Sequence, residues 1–219
     1  MQSTVRATSF LLAGILYGCA AVPPPAPPCS APAGVAATVD SLHSVFGIAL
    51  GQPLAIPECP KYGSGPFIRY EFRKEEACWQ RPVESAGCEP ITDGYAGVEF
   101  PVHTLPLWTR TSRVTVRIVA GRVEGARIYT SGIKGQDAAL QSLIDKYGKP
   151  SSSLNADVQN RMGAQYTSLN SSWKVGDLTV VLLGTTGRLD EGQVEISTDI
   201  GSAAFKSDAA KLTERVKPL

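Results

Sequence analysis

The stretch SRVTVRIVAGRVEGARIYTSG, residues 112–132, alternates apolar and polar side chains on both sides of an Ala-Gly pair. Successive side chains of a strand point to opposite faces, so this alternation commits the stretch to a sheet with one buried face. Ala120-Gly121 between the two arms marks a β-hairpin. With a three-residue loop, Ala120-Gly121-Arg122, the residues Val114, Val116 and Ile118 share a face with Ala126 and Ile128. Arg113, Thr115, Arg117, Arg127 and Tyr129 then take the other face. A two-residue loop would slip one arm and seat Ile128 among arginines. A one-residue slip exchanges the faces, so the three-residue loop is expected. Glu124 is the one misfit, expected at the loop end within reach of solvent.

The rest of the chain is read against that hairpin. Residues 136–150, QDAALQSLIDKYGKP, place Leu140, Leu143, Ile144 and Tyr147 on one helical stripe. Gly148 supplies a left-handed cap and Pro150 forbids continuation. A polar loop is expected from there through about Arg161. AQYTSLNSSW (164–173), DLTVVLLG (177–184) and GQVEISTD (192–199) read as strands, with a turn at 175–177 and a longer loop over GTTGRLDEG. FIRYEF (67–72) and GVEFPV (97–102) read as shorter strands. TVDSLHSVFG reads as a short helix on Leu42, Val45 and Phe46, capped by Thr38 or Asp40. Ser202 is the expected cap of a last helix lined by Phe205, Ala209, Leu212 and Val216. Strands joined by short loops, interspersed with helices, argue an α+β fold: an antiparallel sheet with helices packed on one face. The helix-then-meander unit reads twice, from Thr38 and from Gln136. It divides one globular domain, 38–219, into halves 38–134 and 135–219.

The N-terminus carries an address. Arg6 precedes an uncharged run from Ala7 to Gly18, 12 residues long, whereas a membrane-spanning helix needs about 20. Residues 1–18 therefore read as an export signal. Leu16-Tyr17-Gly18-Cys19 resembles the lipobox of bacterial lipoproteins, with Tyr17 departing from the usual small residue. That resemblance implies that Cys19 becomes the first mature residue and carries the lipid. Stable anchoring takes more than one acyl chain. Residues 19–37 hold Pro23, Pro24, Pro25, Pro27 and Pro28, an extended spacer suited to holding a domain off a bilayer. Ala20 stands where this class uses Asp for inner-membrane retention, which implies a periplasm-facing anchor on the outer membrane. Ordinary secretion, with cleavage after Ala20 or Ala21, is the alternative.

An exported chain enters an oxidising compartment. With Cys19 lipidated, Cys29, Cys59, Cys78 and Cys88 remain. One bridge is expected among Cys59, Cys78 and Cys88, with Cys59–Cys78 favoured slightly; Cys29 pairs with the leftover or stays free. No CxxC spacing and no neighbouring histidine argues for a metal, so none is expected, and no cofactor motif occurs.

Two strings, FGIALGQPL and LIDKYGKP, resemble the helix-plus-sheet repeat of small outer-membrane assembly lipoproteins and of the β-lactamase-inhibitor-protein fold. VAGRVEGARIYTSG followed by LIDKYGKP is similar to a pattern in proteobacterial exported proteins. These resemblances imply location and fold, and no activity.

Chemistry-bearing patterns are sparse. His43 and His103 are the only histidines. There is no G-x-S-x-G elbow and no Walker lysine–hydroxyl pair. Glu75-Glu76 and Asp190-Glu191 are adjacent in sequence, so they diverge in strands or turns. The chain has 21 Lys and Arg against 20 Asp and Glu, which excludes a general bias toward nucleic acid. One constellation remains: Arg110, Arg113, Arg117, Arg122 and Arg127, opposed locally by Glu124 alone. The register puts Arg113, Arg117 and Arg127 with Tyr129 on one face, and Trp108 leads into it. Arg, Tyr and Trp are the residues enriched in binding hot spots; a solvated face balanced by distant acids is the plainer reading. The sequence thus leads to a non-enzymatic envelope lipoprotein that binds another envelope protein. The alternatives are a tethered or secreted inhibitor of a hydrolase, using an exposed loop over 184–192, and a hydrolase with an unrecognised site.

Overall fold

The hairpin turns in two residues, not three. Val119 pairs with Arg122 and Ile118 with Val123, leaving Ala120 and Gly121 at the corner. Both have positive φ, 49° and 77°, as a tight primed turn requires. Two residues further on, Arg117 pairs with Gly125, and Glu124 is left over as a β-bulge. The bulge restores the pairs Val116–Ala126 and Val114–Ile128. The faces are therefore as the alternation predicts, although the turn is not. Glu124 does not reach solvent: it is 4% exposed, and its carboxylate accepts a hydrogen bond from Thr198 Oγ1.

The structure, a computed structural model, describes residues 41–62, 69–72, 75–81 and 90–215. In chain order the strands are β1 (Ser44–Val45), β2 (Ile48–Ala49), β3 (Lys61–Tyr62), β4 (Arg69–Tyr70), β5 (Cys78–Gln80), β6 (Gly94–Glu99), β7 (Thr109–Val119) and β8 (Arg122–Thr130). Helix α1 (Gln136–Tyr147) follows, then β9 (Ser152–Gln159), β10 (Gln165–Val175), β11 (Leu178–Arg188), β12 (Glu191–Ser197) and helix α2 (Asp199–Arg215). Eight strands form one sheet in the order β5-β6-β7-β8-β12-β11-β10-β9. All its neighbours are antiparallel. The second meander folds back so that its last strand, β12, lies on β8 and its first, β9, becomes the outer edge.

The fold is broadly α+β, richer in strand than expected. The polar stretch after α1 is not a loop but β9, paired with β10 from Ser152↔Ser172 to Gln159↔Gln165. Ser, Asn, Asp and Gln have poor strand propensity, and the ladder overrides it. TVDSLHSVFG is not an α-helix where it is described. It makes a 3-10 turn at Ser41–His43 and the β1–β2 hairpin, with Phe46 and Gly47 at φ 50° and 84°; Thr38 and Asp40 lie outside the described residues. Of FIRYEF only 69–72 is described, with Arg69–Tyr70 on Lys61–Tyr62. GTTGRLDEG is mostly strand: β11 runs to Arg188 and β12 starts at Glu191.

The helices take opposite faces of the sheet, a correction to packing on one. On the apolar face α1 packs by β10 and β11, and its Leu143 and Tyr147 line one apolar space with Ile128, Val194 and Ile196 of the sheet. On the other face Phe205 of α2 lies against Gly125, where an added Cβ would stand 2.5 Å from the ring. The bare glycine makes the slot the ring enters. Thr198, rather than Ser202, caps α2, its Oγ1 accepting from the Gly201 N–H at 3.2 Å.

Gly125→Ala therefore forces Phe205 and α2 off the sheet. The expected loss is about 1–3 kcal/mol, read as a fall of roughly 2–4 °C per kcal/mol in the thermal midpoint. An unchanged midpoint would contradict the seating of α2.

Candidate functional site

The arginines are not a free cationic patch. Arg113 is exposed and stands 3.9 Å from Glu99. Arg127 donates to Glu195 across β8–β12 at 2.9 Å, its guanidinium 4.7 Å from the centre of the Phe205 ring. Arg117 is only 7% exposed and donates to Asp208 of α2 at 2.9 Å and to Asp93 at 2.7 Å. Arg110 pairs with Glu191, and Arg122 donates to the Gly51 carbonyl at 3.0 Å. Tyr129 is half-buried. Trp108 lies on the other side of the sheet, buried in the apolar core, with its indole N–H on Ser142 Oγ at 3.0 Å. The five binding-face candidates thus divide between an exposed arginine, two residues under α2, a half-buried tyrosine and a core tryptophan. Acids distant in sequence supply the balance. An expectation of Arg113, Arg117 and Arg127 side by side in water fails because α2 covers that end of the face.

Around α2 the polar cluster is tight. Tyr95 donates its hydroxyl to Asp208 at 2.8 Å. Burial, then the hydrogen bond to that carboxylate, push the Tyr95 pKa up to about 12. Burial alone would raise Asp208, but the Tyr95 hydrogen bond and the Arg117 charge hold it below the usual carboxylate range. Burial would likewise lower Arg117; the bonds and charges of Asp93 and Asp208 outweigh it and raise it. These groups fasten a helix to a sheet.

The two histidines lie apart among the described residues. His43 Nε2 lies 2.8 Å from Asp177 Oδ1 and ties the 3-10 turn to the β10–β11 corner. Its hydrogen bond holds the Asp177 carboxyl below its ordinary pKa. His103 is exposed in a 3-10 turn, Val102–Thr104. Asp190 and Glu191 do not diverge as expected: Arg110 pairs with Glu191 and stands 3.6 Å from Asp190, which also binds Arg188 at 3.0 Å. Among the described residues no group of three or more His, Cys, Asp or Glu is placed to hold a metal ion. The loop expected to serve an inhibitor, over 184–192, is strand on both arms, with only Leu189-Asp190 at the corner.

The sheet's two edges differ sharply. Beside β5, Cys59 N–H donates to Trp79 O at 2.9 Å and Trp79 N–H to Pro57 O at 3.0 Å. The Cys59 and Cys78 sulfurs stand at bonding distance, 2.10 Å; Cys19, Cys29 and Cys88 lie outside the described residues. Backbone thus covers the β5 edge. At the other edge, β9 pairs with β10 alone among the described residues. Leu154 on β9 is 66% exposed, as is Met162, at 90%, in the β9–β10 turn. Leu154, Ala156, Val158 and Tyr166 share one face by the pairs Leu154↔Asn170, Ala156↔Ser168 and Val158↔Tyr166. The turn is preorganised: Asn160 Oδ1 accepts from the Met162 and Ala164 N–H groups, each at 2.9 Å. The β9–β10 hairpin runs past the last β10–β11 pair, Asn170↔Leu183. Gln136 supports its base: Nε2 donates to Thr167 O and Oε1 accepts from Leu169 N–H, both at 2.9 Å. No periodicity marks Gln136, since one side chain replacing a strand partner leaves no repeating signal.

Arg117→Ser leaves Asp208 and Tyr95 partly buried without the cation and is expected to cost about 2 kcal/mol, while exposed Arg113→Ser stays within about 0.5 kcal/mol. Thermal melts separate the two, and equal small effects would contradict the lock. A tyrosine titration followed by absorbance gives a second check. Tyr95 and Tyr147, both pushed up to about 12 by burial first, should ionise later than tyrosines near the ordinary value of about 10. Their folded pKa is raised, so the stabilisation is whole below pH about 10 and is lost between about 10 and 12. Tyr95→Phe should remove one late group. Neither a protein family, nor a curated protein, nor a solved structure matches the chain.

Proposed function

We propose that the chain is an exported, membrane-tethered binding module with no catalytic role, which captures another cell-envelope protein by adding one of that partner's strands to β9. The observation that carries this reading is the outer edge of β9, eight residues long, which no other described strand pairs. A strand edge presents a row of N–H and C=O groups ready for another chain. Natural edges are commonly blocked by prolines, lysines, bulges or great shortness. The sequence of β9, SSLNADVQ, has no proline or lysine, and its pairing to β10 runs unbroken. The β5 edge, three residues long, is blocked. One edge protected and the other left open is the pattern of a surface kept for pairing. The exposed side chains beside it supply specificity: Leu154, Tyr166 and Met162 on a braced hairpin.

The tether in this reading is the acylated Cys19, followed by the proline spacer, with the domain facing the periplasm from the outer membrane. No helix among the described residues is long and apolar enough to cross a membrane. Net charge near balance and arginines already paired make backbone pairing and apolar contact, rather than electrostatic steering, the means of recognition.

Two measurements test this. A photo-cross-linker at Asn155 should join one envelope protein in living cells. The double variant Leu154→Lys with Asp157→Lys puts charge on both faces of the edge, and should abolish the cross-link with little change in thermal midpoint. Persistence of the cross-link in that variant would sink strand addition. Separately, Cys19→Ser should move the protein from the membrane fraction to the soluble one; a wild-type protein that is already soluble and starts at Ala21 or Val22 would establish ordinary secretion instead.

A further inference from the structure

Between α1 and the apolar face of the sheet lies a cavity of about 230 Å³. Ile128, Val194 and Ile196 line it from the sheet, and Val45, Leu143 and Trp108 enclose it. Half-buried Phe46 and Pro106, exposed Ser142 and half-buried Lys146 stand at its mouth. An apolar cavity of about 150 Å³ stays dry and takes up benzene, so this one has room for an alkyl chain of moderate length. Lys146 is its only charged lining residue. The ammonium donates to the Ser44 carbonyl and lies 5.1 Å from the centre of the Tyr147 ring. Among the described residues no carboxylate comes within ion-pairing distance of it. Burial lowers its pKa from the ordinary lysine value. A partly desolvated ammonium without a counter-charge favours an anion beside it.

We propose that this cavity is a binding site for a small monocarboxylate with an alkyl tail, the tail filling the space between α1 and the sheet and the carboxylate pairing with Lys146 Nζ. This site lies on the opposite face of the sheet from α2 and is independent of the β9 edge. The apolar lining selects the tail without regard to sequence of contacts, so affinity follows chain length until the space is full. The amine selects the head.

Calorimetry with hexanoate, heptanoate and octanoate tests the proposal on the full domain. Affinity should rise about fourfold per methylene, the equivalent of about 0.8 kcal/mol, and stop rising once the cavity is filled. Octanol should bind wild type at least tenfold more weakly than octanoate. Lys146→Met should erase that difference and Lys146→Arg keep it, both with wild-type melting. Leu143→Phe, which fills the space from α1, should abolish binding of both probes in a variant whose melting shows it folded. Absence of saturable octanoate binding would overturn the proposal. So would equal binding of octanoate and octanol to wild type, or undiminished octanoate binding by Lys146→Met or by folded Leu143→Phe.

Discussion

The contact between the Phe205 ring and the bare backbone of Gly125 organises the polar side of the molecule. A side chain at position 125 would meet the ring at 2.5 Å, so the helix can lie there only because the strand has nothing to present. Once the ring is seated, Asp208 reaches Arg117 and Tyr95, and the Arg127 guanidinium lies over the ring. The bulge at Glu124 is the other half of the arrangement. It holds the first turn of α2 through Thr198, and it brings Gly125 into register with Ser197. A sheet with a two-residue turn and no bulge would have turned Gly125 to the apolar core.

Because α2 is anchored over β7 and β8 and touches β11 and β12, no described element covers the second face of β9 and β10. On that face Val181 and Leu183 are half-buried, and Leu154, Val158 and Tyr166 continue the apolar character to the edge. The hairpin arginines Arg110, Arg113, Arg117 and Arg127 are paired within the domain, across strands and between helix and sheet. Among the described residues, β9 offers an edge of backbone with apolar surface beside it. This combination, with one edge sealed near Cys59–Cys78 and one open among the described residues, motivates the proposal of a binding role.

The parts legible in the sequence were those in which one local pattern decides the outcome. The alternation at 112–132 separates Val114, Val116, Ala126 and Ile128 from Arg113, Arg117 and Arg127 whatever the turn, since a misjudged loop and an unforeseen bulge cancel. The stripe on α1 and its stop at Gly148 are equally local. Cys59 and Cys78 do come together. What could not be read depends on partners far away in sequence. The edge strand β9 is polar and becomes a strand only through β10. Arg117 looks like a surface residue until Asp208, 91 residues later, covers it. Phe46 sits at positive φ, a conformation no pattern assigns to an aromatic residue, and there it packs beside Phe100 and Trp108 at ring-centre distances of 6.0 and 6.4 Å. The helices' placement on opposite faces follows from a single glycine, which alternation counts as silent.

The account rests most on the β9 edge being open, and hydrogen–deuterium exchange of the isolated domain measures this amide by amide. Within Ser152–Gln159 the N–H groups turned toward β10 are bonded and those turned outward meet no other described strand. The account predicts alternation along the strand, with every second amide exchanging much faster than its neighbours, while the paired amides of β8 and β12 stay protected throughout. Uniform slow exchange along β9 would contradict it, because the edge would then already be occupied.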